Sequence, residues 1–429
     1  MQEGEVVRNR VIALCDINSC YASIAIQENP ALRGYPVAVC GSTEKRSGIV
    51  LAANRDAKMC GVKTGMVNRE AIAHCPKLIQ VPPDFHQYQR YSSVIQHIYE
   101  QYGPTEMLSI DEGWIDLSYI SKDVEDGATL VRDIAAEVMR ETGLTISCGV
   151  ADNKITAKLG SEYSPKGSKY KMPGTITAIP PERYQEMCYG LAVDELLGIG
   201  RKMGPKMCSA GLFTIGDLAN TSSVNVEGRF GKMGVILQNR AKGLDASPVI
   251  PGMTAAPVIK SFGNTTTTPF DLVKDEDIWV VLYNMADAVA SRLRRHGYRA
   301  INVEFSVRDS NMMGFARQHK LENATDVSLY IAHAAFDLFK YNFGRSGSYR
   351  IRNVGVRATD LKESWYPEQT TLFDDPTRRK RQSEIEHSVD DIRRRFGFYS
   401  MQRAVMLAAD PRLVIDAAGD HTVHPHSFM

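Results

Sequence analysis

The stretch Leu108-Ser109-Ile110-Asp111-Glu112-Gly113-Trp114-Ile115-Asp116-Leu117 decides the reading of this chain. An apolar run enters two adjacent carboxylates and leaves through Trp114 and Ile115. Neighbouring residues of a strand point to opposite faces. The pair therefore sets one carboxylate over each face or edge of a sheet, a placement that costs desolvation. Another acid, Asp16, ends a second apolar run, Val11-Ile12-Ala13-Leu14-Cys15. Strand-borne acids in one domain suit a hard cation bound by oxygen, and Mg²⁺ in such sites usually also holds substrate phosphates. The competing reading is a strand end that leaves Asp111 and Glu112 in water. These residues alone leave both readings open.

Outward from that stretch, residues 11–17, 35–41, 48–53, 106–118 and 144–151 read as strands, short, rich in Val, Ile and Leu, and bounded by Gly, Pro or Asn. Between the last two lies a helix over about 126–142, with Leu130, Ile134, Val138 and Met139 on one face and Gly143 as its stop. Another helix covers 88–101. This order predicts an α/β sheet with helices on one side, with the acids at 16 and 111–112 on neighbouring central strands.

Residues 181–245 change character, with short helices at 194–197, 203–210, 215–219 and 235–242 broken by glycines. Within them, Leu196-Leu197-Gly198-Ile199-Gly200-Arg201-Lys202 reads as a Gly-x-Gly hairpin between helices, which aims backbone N–H groups at an anion. A tight turn without a ligand fits the same residues. Residues 246–260 are rich in Pro and Ala and read as a linker. A second α/β unit follows at about 261–362, with helices at 276–296 and 325–343 and strands at 299–309, 312–318 and 350–359. The remainder, 363–429, reads as a tail containing an amphipathic helix to about 396.

A length of 429 residues implies two to four domains. The net charge of +1 excludes no partner, but from Arg292 to Arg357 there are 12 Lys or Arg against 5 Asp or Glu, a local net of +7. That segment can lie on a polyanion, or be an ordinary solvated face. The eight cysteines form no CxxC pair, and several lie in apolar runs, as reduced thiols do. No apolar run approaches the ~18 residues of a membrane span. The N-terminal MQEGEVVRNR has no signal-peptide core. A cytosolic setting without membrane attachment is the expectation.

Three segments together resemble the Y-family (translesion) DNA polymerases. Cys15-Asp16-Ile17-Asn18-Ser19-Cys20-Tyr21-Ala22 resembles the first motif, and Leu108–Glu112 the second. Gly149-Val150-Ala151-Asp152-Asn153-Lys154-Ile155-Thr156-Ala157-Lys158-Leu159 resembles the third. Asn18 and Lys58 look closer to the polymerase V catalytic-subunit (UmuC-type) branch than to DNA polymerase IV. The resemblance implies a multidomain α+β right hand. A ferredoxin-like palm would take 1–30 and 86–180, and small fingers 31–85. A helix-hairpin-helix thumb would take 181–245, and an α/β little finger 261–362.

It further implies template-directed DNA synthesis of low fidelity opposite damaged bases, by a monomer. The expected partners are primer-template DNA, deoxynucleoside triphosphates and a sliding clamp. Two Mg²⁺ ions, or Mn²⁺ in their place, would be held by Asp16, Asp111, Glu112 and the carbonyl of Ile17. Tyr21 matches the steric gate against ribose, although a core tyrosine fits its position too. Lys58 matches a triphosphate ligand, with a solvated helix lysine as the bland alternative. Lys166 would be the second such ligand, in a Ser164-Pro165-Lys166-Gly167 order that departs from the family's. Asn153 would be structural, and Lys154 and Lys158 would lie near phosphates or metal carboxylates. Gly198, Gly200, Arg292, Arg294 and Arg295 would touch DNA. Gln369-Thr370-Thr371-Leu372-Phe373 resembles a sliding-clamp peptide, with Gln369, Leu372 and Phe373 as anchors. Two rivals stand beside this reading: a catalytically silent DNA- and clamp-binding scaffold, and another palm enzyme such as a nucleotide cyclase.

Overall fold

The computed structural model describes residues 10–44, 46, 48–163, 172–251, 259–343, 349–367 and 376–417. The chain divides into two compact units. The first holds the described residues of Met1–Cys40 and Val50–Ala256, the second those of Gly41–Ile49 and Pro257–His424.

The strands of the first unit are β1 Ile12–Ile17, β2 Val37–Cys40, β3 Val50–Ala53, β4 Ile79–Val81, β5 Thr105–Met107, β6 Glu112–Asp116, β7 Ile146–Ala151 and β8 Ile176–Ile179. Five of them form one sheet in the order β5-β6-β1-β7-β8. β1 is central and antiparallel to both β6 and β7, with Asp16 opposite Glu112 on one side and Ser147 on the other. The expected single strand at 106–118 is instead a hairpin. β5 and β6 pair antiparallel, and Leu108–Asp111 make the turn between them. The N–H groups of Leu108 and Ser109 donate to the Glu112 carbonyl, which closes that turn.

The sheet is covered on both faces, where one had been expected. Val11, Ala13, Cys15 and Ile17 pack on helices Phe85–Glu100 and Val124–Thr142, through Tyr88, Ile95, Val131, Ile134 and Val138. Ile12 and Leu14 face the other way, against Trp114, Ala157 and Val249. Every residue of β7 is buried as well. A continuous apolar strand is what burial on both faces requires. Helix Lys154–Glu162 lies directly on β7 at Gly149. A Cβ at Gly149 would fall inside the van der Waals shells of the Ala157 carbonyl oxygen and the Ser161 nitrogen. Cys15 and Cys148 are opposite each other in register, with their sulfurs 3.2 Å apart.

A smaller sheet, β3-β2-β4, carries helices Arg55–Met59 and Asn68–His74. Beyond β8 the chain is helical. The segment expected at 194–197 is only a 3-10 turn, Val193–Glu195. Helix Met203–Ser209 and helix Ile215–Asn220 fall close to expectation. The one expected at 235–242 begins much earlier, as Ser223–Ala241 with a break at Gly231 (φ 64°).

The second unit contains β9 Ser261–Leu272, β10 Tyr298–Asp309, β11 Gly314–Thr325 and β12 Ile351–Glu363, in the antiparallel order β11-β10-β12-β9. Helices Asp275–Arg295 and Ser328–Phe343 cover one face, on a core around Val303, Phe305, Val354 and Val356. β9 was not expected. Its sequence SFGNTTTTPFDL looks like a loop, but it is an edge strand, where threonines fit the pleat and Pro269 can be accommodated. The region expected to be a tail is partly integral: Met406, Leu413 and Ala417 belong to this core, and helix Pro376–Phe396 packs on it. No helix among the described residues is long and apolar enough to cross a membrane.

Candidate active site

The three acids meet at one end of the larger sheet. Asp16 is the penultimate residue of β1, and Glu112 opens β6 directly opposite it. Asp111 ends the hairpin turn, and its carbonyl accepts from the Ile17 N–H at 2.8 Å. The Ser109 hydroxyl donates to the Asp111 carboxylate, fixing its rotamer. Glu112 accepts from Lys158, whose ammonium also reaches Glu162 at 2.9 Å. Lys158 is only 11% exposed in its side chain. Burial pushes that ammonium down, but Glu112 and Glu162 outweigh burial and its net shift is upward.

Titration couplings show which groups share this space. Burial pushes the Cys20 thiol up, and the charges of Asp111 and Asp16 push it further. The Tyr21 phenol is pushed up to about 12 by burial, with Cys20, Asp111 and Tyr88 adding to it. Burial pushes Lys58 down, against the pull of Asp16. Lys58 donates to the Ser19 hydroxyl at 2.8 Å. Ser19 sits in the left-handed region (φ 50°) just before helix Cys20–Glu28, and its side chain caps nothing. The Asn18 amide donates to Thr145 and accepts from Ser147, tying this corner to β7. Tyr21 stacks on Tyr88 at 4.2 Å and meets Phe85 edge-on, so it is a packing residue whatever else it does.

All oxygen donors of the expected metal site lie on this corner, and hard carboxylate and carbonyl oxygens are what Mg²⁺ selects. Among the described residues, no three His, Cys, Asp or Glu side chains stand close enough together to hold an ion as placed. Glu112 is engaged by Lys158, as expected for like charges with a cation at hand. Lys154, four residues before Lys158 on the same helix face, grips Glu106 with both oxygens at 2.7 Å. Asn153 caps that helix by accepting from Thr156. Sequence reasoning missed the Ser19–Lys58 contact, because no local signal announces a left-handed serine.

The other expected residues separate. Gly198 (φ 104°) and Gly200 are exposed in the turn before helix Met203–Ser209. Arg294 is not a phosphate contact. Its side chain is 2% exposed, and its donors reach Glu386, Asp390 and the Asp326 carbonyl. Its two carboxylate partners arrive more than 90 positions later, which a local charge count cannot foresee. Arg292 is turned inward to the Gly263 carbonyl and Asn264, and Arg295 is exposed. Lys166, Gln369, Leu372 and Phe373 lie outside the described residues.

Cross-strand register identifies a surface the sequence did not reveal. The face of the second sheet turned away from its helices presents Asn302, Glu304, Ser306 and Arg308 from β10, Lys320 from β11 and Arg357 from β12. Small or polar residues, among them Gly263, Thr265, Asn353 and Gly355, lie on the same face.

Residues 15–162 match the model of the impB/mucB/samB family, and residues 259–372 match its C-terminal domain. A protein of Acetivibrio thermocellus named DNA polymerase IV is 38% identical over 93% of this chain and 98% of its own length. The chain belongs to the Y family of DNA polymerases. It is a DNA-directed DNA polymerase. DNA polymerase IV 1 of Bacillus subtilis is 33% identical over 85% of this chain and 86% of its own. A solved Y-family DNA polymerase chimera superposes with a TM-score of 0.70 over 82% of this chain and 99% of its own, at 23% identity. The relatives' names do not support the expected UmuC-type branch. Asn18 and Lys58 are too few positions to mark one.

Proposed function

We propose that this polymerase extends primers opposite damaged template bases, with low fidelity and two-metal catalysis. The observation that carries the reading is the placement of Asp16, Asp111 and Glu112 at one end of the sheet's central strands, beside Lys58. Two Mg²⁺ ions, when bound, activate the primer 3′-oxygen and neutralise the leaving pyrophosphate. Asp16, Asp111, Glu112 and the Ile17 carbonyl are the groups that would hold them. Glu112 would give up Lys158 for this duty, and Lys158 would keep Glu162. Lys58 leaves the Ser19 hydroxyl for the incoming triphosphate, and Lys166 is the second cation there. Tyr21 bars a 2′-hydroxyl.

By this reading the larger sheet is the palm, β2–β4 the fingers, the helical segment the thumb and the second unit the little finger. By resemblance to the family, the small and medium apolar residues Ile49 to Ala53 would form the floor of the fingers over the template base, and few contacts there would reject mispairs weakly. DNA phosphates meet the open sheet face through Arg308, Lys320 and Arg357, with Gly198 and Gly200 as backbone donors. Gln369, Leu372 and Phe373 dock on a sliding clamp, which raises the effective primer concentration. The protein acts as a monomer in the cytosol.

Primer extension on undamaged and lesion-bearing templates tests the reading. Extension past a lesion by the wild type, lost in Asp111→Asn, is the expected result. Extension that stops at every lesion overturns bypass. Near-normal synthesis by the variant overturns the metal assignment. For the clamp, Leu372→Ala with Phe373→Ala abolishes clamp-stimulated processivity and leaves single-nucleotide insertion unchanged; an equal fall in both makes the pair structural.

A further inference from the structure

The second unit has a cavity of its own, about 680 Å³, between the last turn of helix Asp275–Arg295 and helix Pro376–Phe396. Arg292, Arg295, Arg393 and Arg394 line it, with Phe398 on one wall. Three carboxylates also line it: Asp287, Asp390 and Asp416. Asp390 holds Arg294 at 2.6 and 3.0 Å, and Asp287 pairs with Arg393 and accepts from Ser328.

Two observations point to an anionic ligand. Arg393 donates its ε N–H to the Met401 carbonyl, yet its Nη2 is buried with no partner. A buried N–H left unbonded is costly, and the residue that carries this one lines the cavity. Arg292 and Arg295 are three residues apart on one helix, hence on one face. Burial pushes the Arg292 guanidinium down, and the charge of Arg295 pushes it further. Like charges held together in this way are relieved by an anion between them.

We propose that this cavity binds a small phosphorylated molecule of the nucleotide class. Planar guanidinium forks match phosphate oxygens two at a time. The Phe398 ring, with Arg393 4.7 Å from its centre, offers an apolar wall for a base. The volume is that of a small-ligand pocket. Duplex DNA, being convex, suits the flat open sheet face rather than a recess. The catalytic reading uses none of these groups. Because residues 376–417 build one side, the site exists only in a chain that continues past the clamp peptide.

Calorimetric titration of the full chain in EDTA tests this, with ADP, pyrophosphate and a single-stranded oligonucleotide as probes. ADP is expected to bind saturably to one site. Arg295→Gln should weaken it at least about tenfold, the worth of one charged hydrogen bond, and Lys58→Ala should not. Arg295 is exposed, so that variant leaves folding intact. Arg292→Gln is the stronger change, but it also removes bonds to Gly263 and Asn264. No saturable ADP or pyrophosphate binding to the wild type overturns the proposal, as does unchanged binding in Arg295→Gln. Loss in Lys58→Ala instead assigns the nucleotide to the carboxylate corner. Loss of oligonucleotide binding alone makes these arginines a nucleic-acid contact.

Discussion

Glu112 has two claimants, Lys158 in the fold and a cation in the reaction. Asp111 accepts from the neutral Ser109 hydroxyl, so its removal is the cleaner test. Asp111→Asn should slow nucleotide insertion by about 10²–10³, since the metal supplies several kcal/mol of barrier lowering. Its affinity for primer-template, measured by anisotropy, should stay near wild type. Tyr21→Ala should raise ribonucleotide incorporation far more than it lowers deoxynucleotide incorporation in single-turnover assays; equal losses would leave Tyr21 as packing for Tyr88 alone. Its phenol also predicts a pH effect. A phenol pushed up to about 12 from 10 keeps its proton more tightly in the fold. The stability it contributes is therefore complete below pH 10 and lost as pH rises toward 12. Tyr21→Phe should flatten that fall in denaturation midpoints without abolishing it, because Tyr102 and Tyr283 are also pushed up to about 12. Asp16, Asp111 and Glu112 were legible because apolar strands seldom end in acids. Ser19 and Arg294 were not, because their meaning lies in partners far along the chain.

Elements were legible where hydrophobic period and punctuation agreed. Helix Val124–Thr142 came through because Asp123 caps it and Gly143 takes the left-handed φ of 70° that ends it. β9 did not, because edge strands need no apolar alternation. The hairpin at 105–116 was read as one strand, because Leu108 and Ile110 in its four-residue turn continue the alternation of a strand. Gly149 is the tightest constraint between elements. Gly149→Ala must push helix Lys154–Glu162, and Lys158 with it, off β7. A cost of about 3 kcal/mol should appear in urea melts, with a loss of insertion that Gly160→Ala, facing contacts of 3.0 Å or more, reproduces only in part. On the open sheet face, replacing Arg308, Lys320 and Arg357 together by glutamine should lower the log–log salt slope of DNA binding by roughly one unit per contacting cation. An unchanged slope would move the footprint elsewhere.

Among the described residues each unit has its own hydrophobic packing, several clusters in the first and one large core in the second. Arg294→Met, which strands Glu386 and Asp390, should cost the second unit about 3–5 kcal/mol and lower one calorimetric transition while leaving the other in place. Family-level organisation was legible from three motifs, whereas the docking of 376–417 was not, since a charged helix after a polar stretch looks like a solvated tail. The thiols add a different kind of handle. All eight cysteines fall in the first unit, from Cys15 to Cys208, and the second has none. Only Cys60 and Cys208 are exposed, and the other six are buried. A thiol reagent should therefore modify two sites at once and the rest only as fast as the strands and helices of that unit come apart. Cys15 and Cys148, face to face in the centre of the sheet, should be among the last to react. Mass spectrometry over hours would make them a stopwatch for one half of the enzyme, with the other half chemically silent.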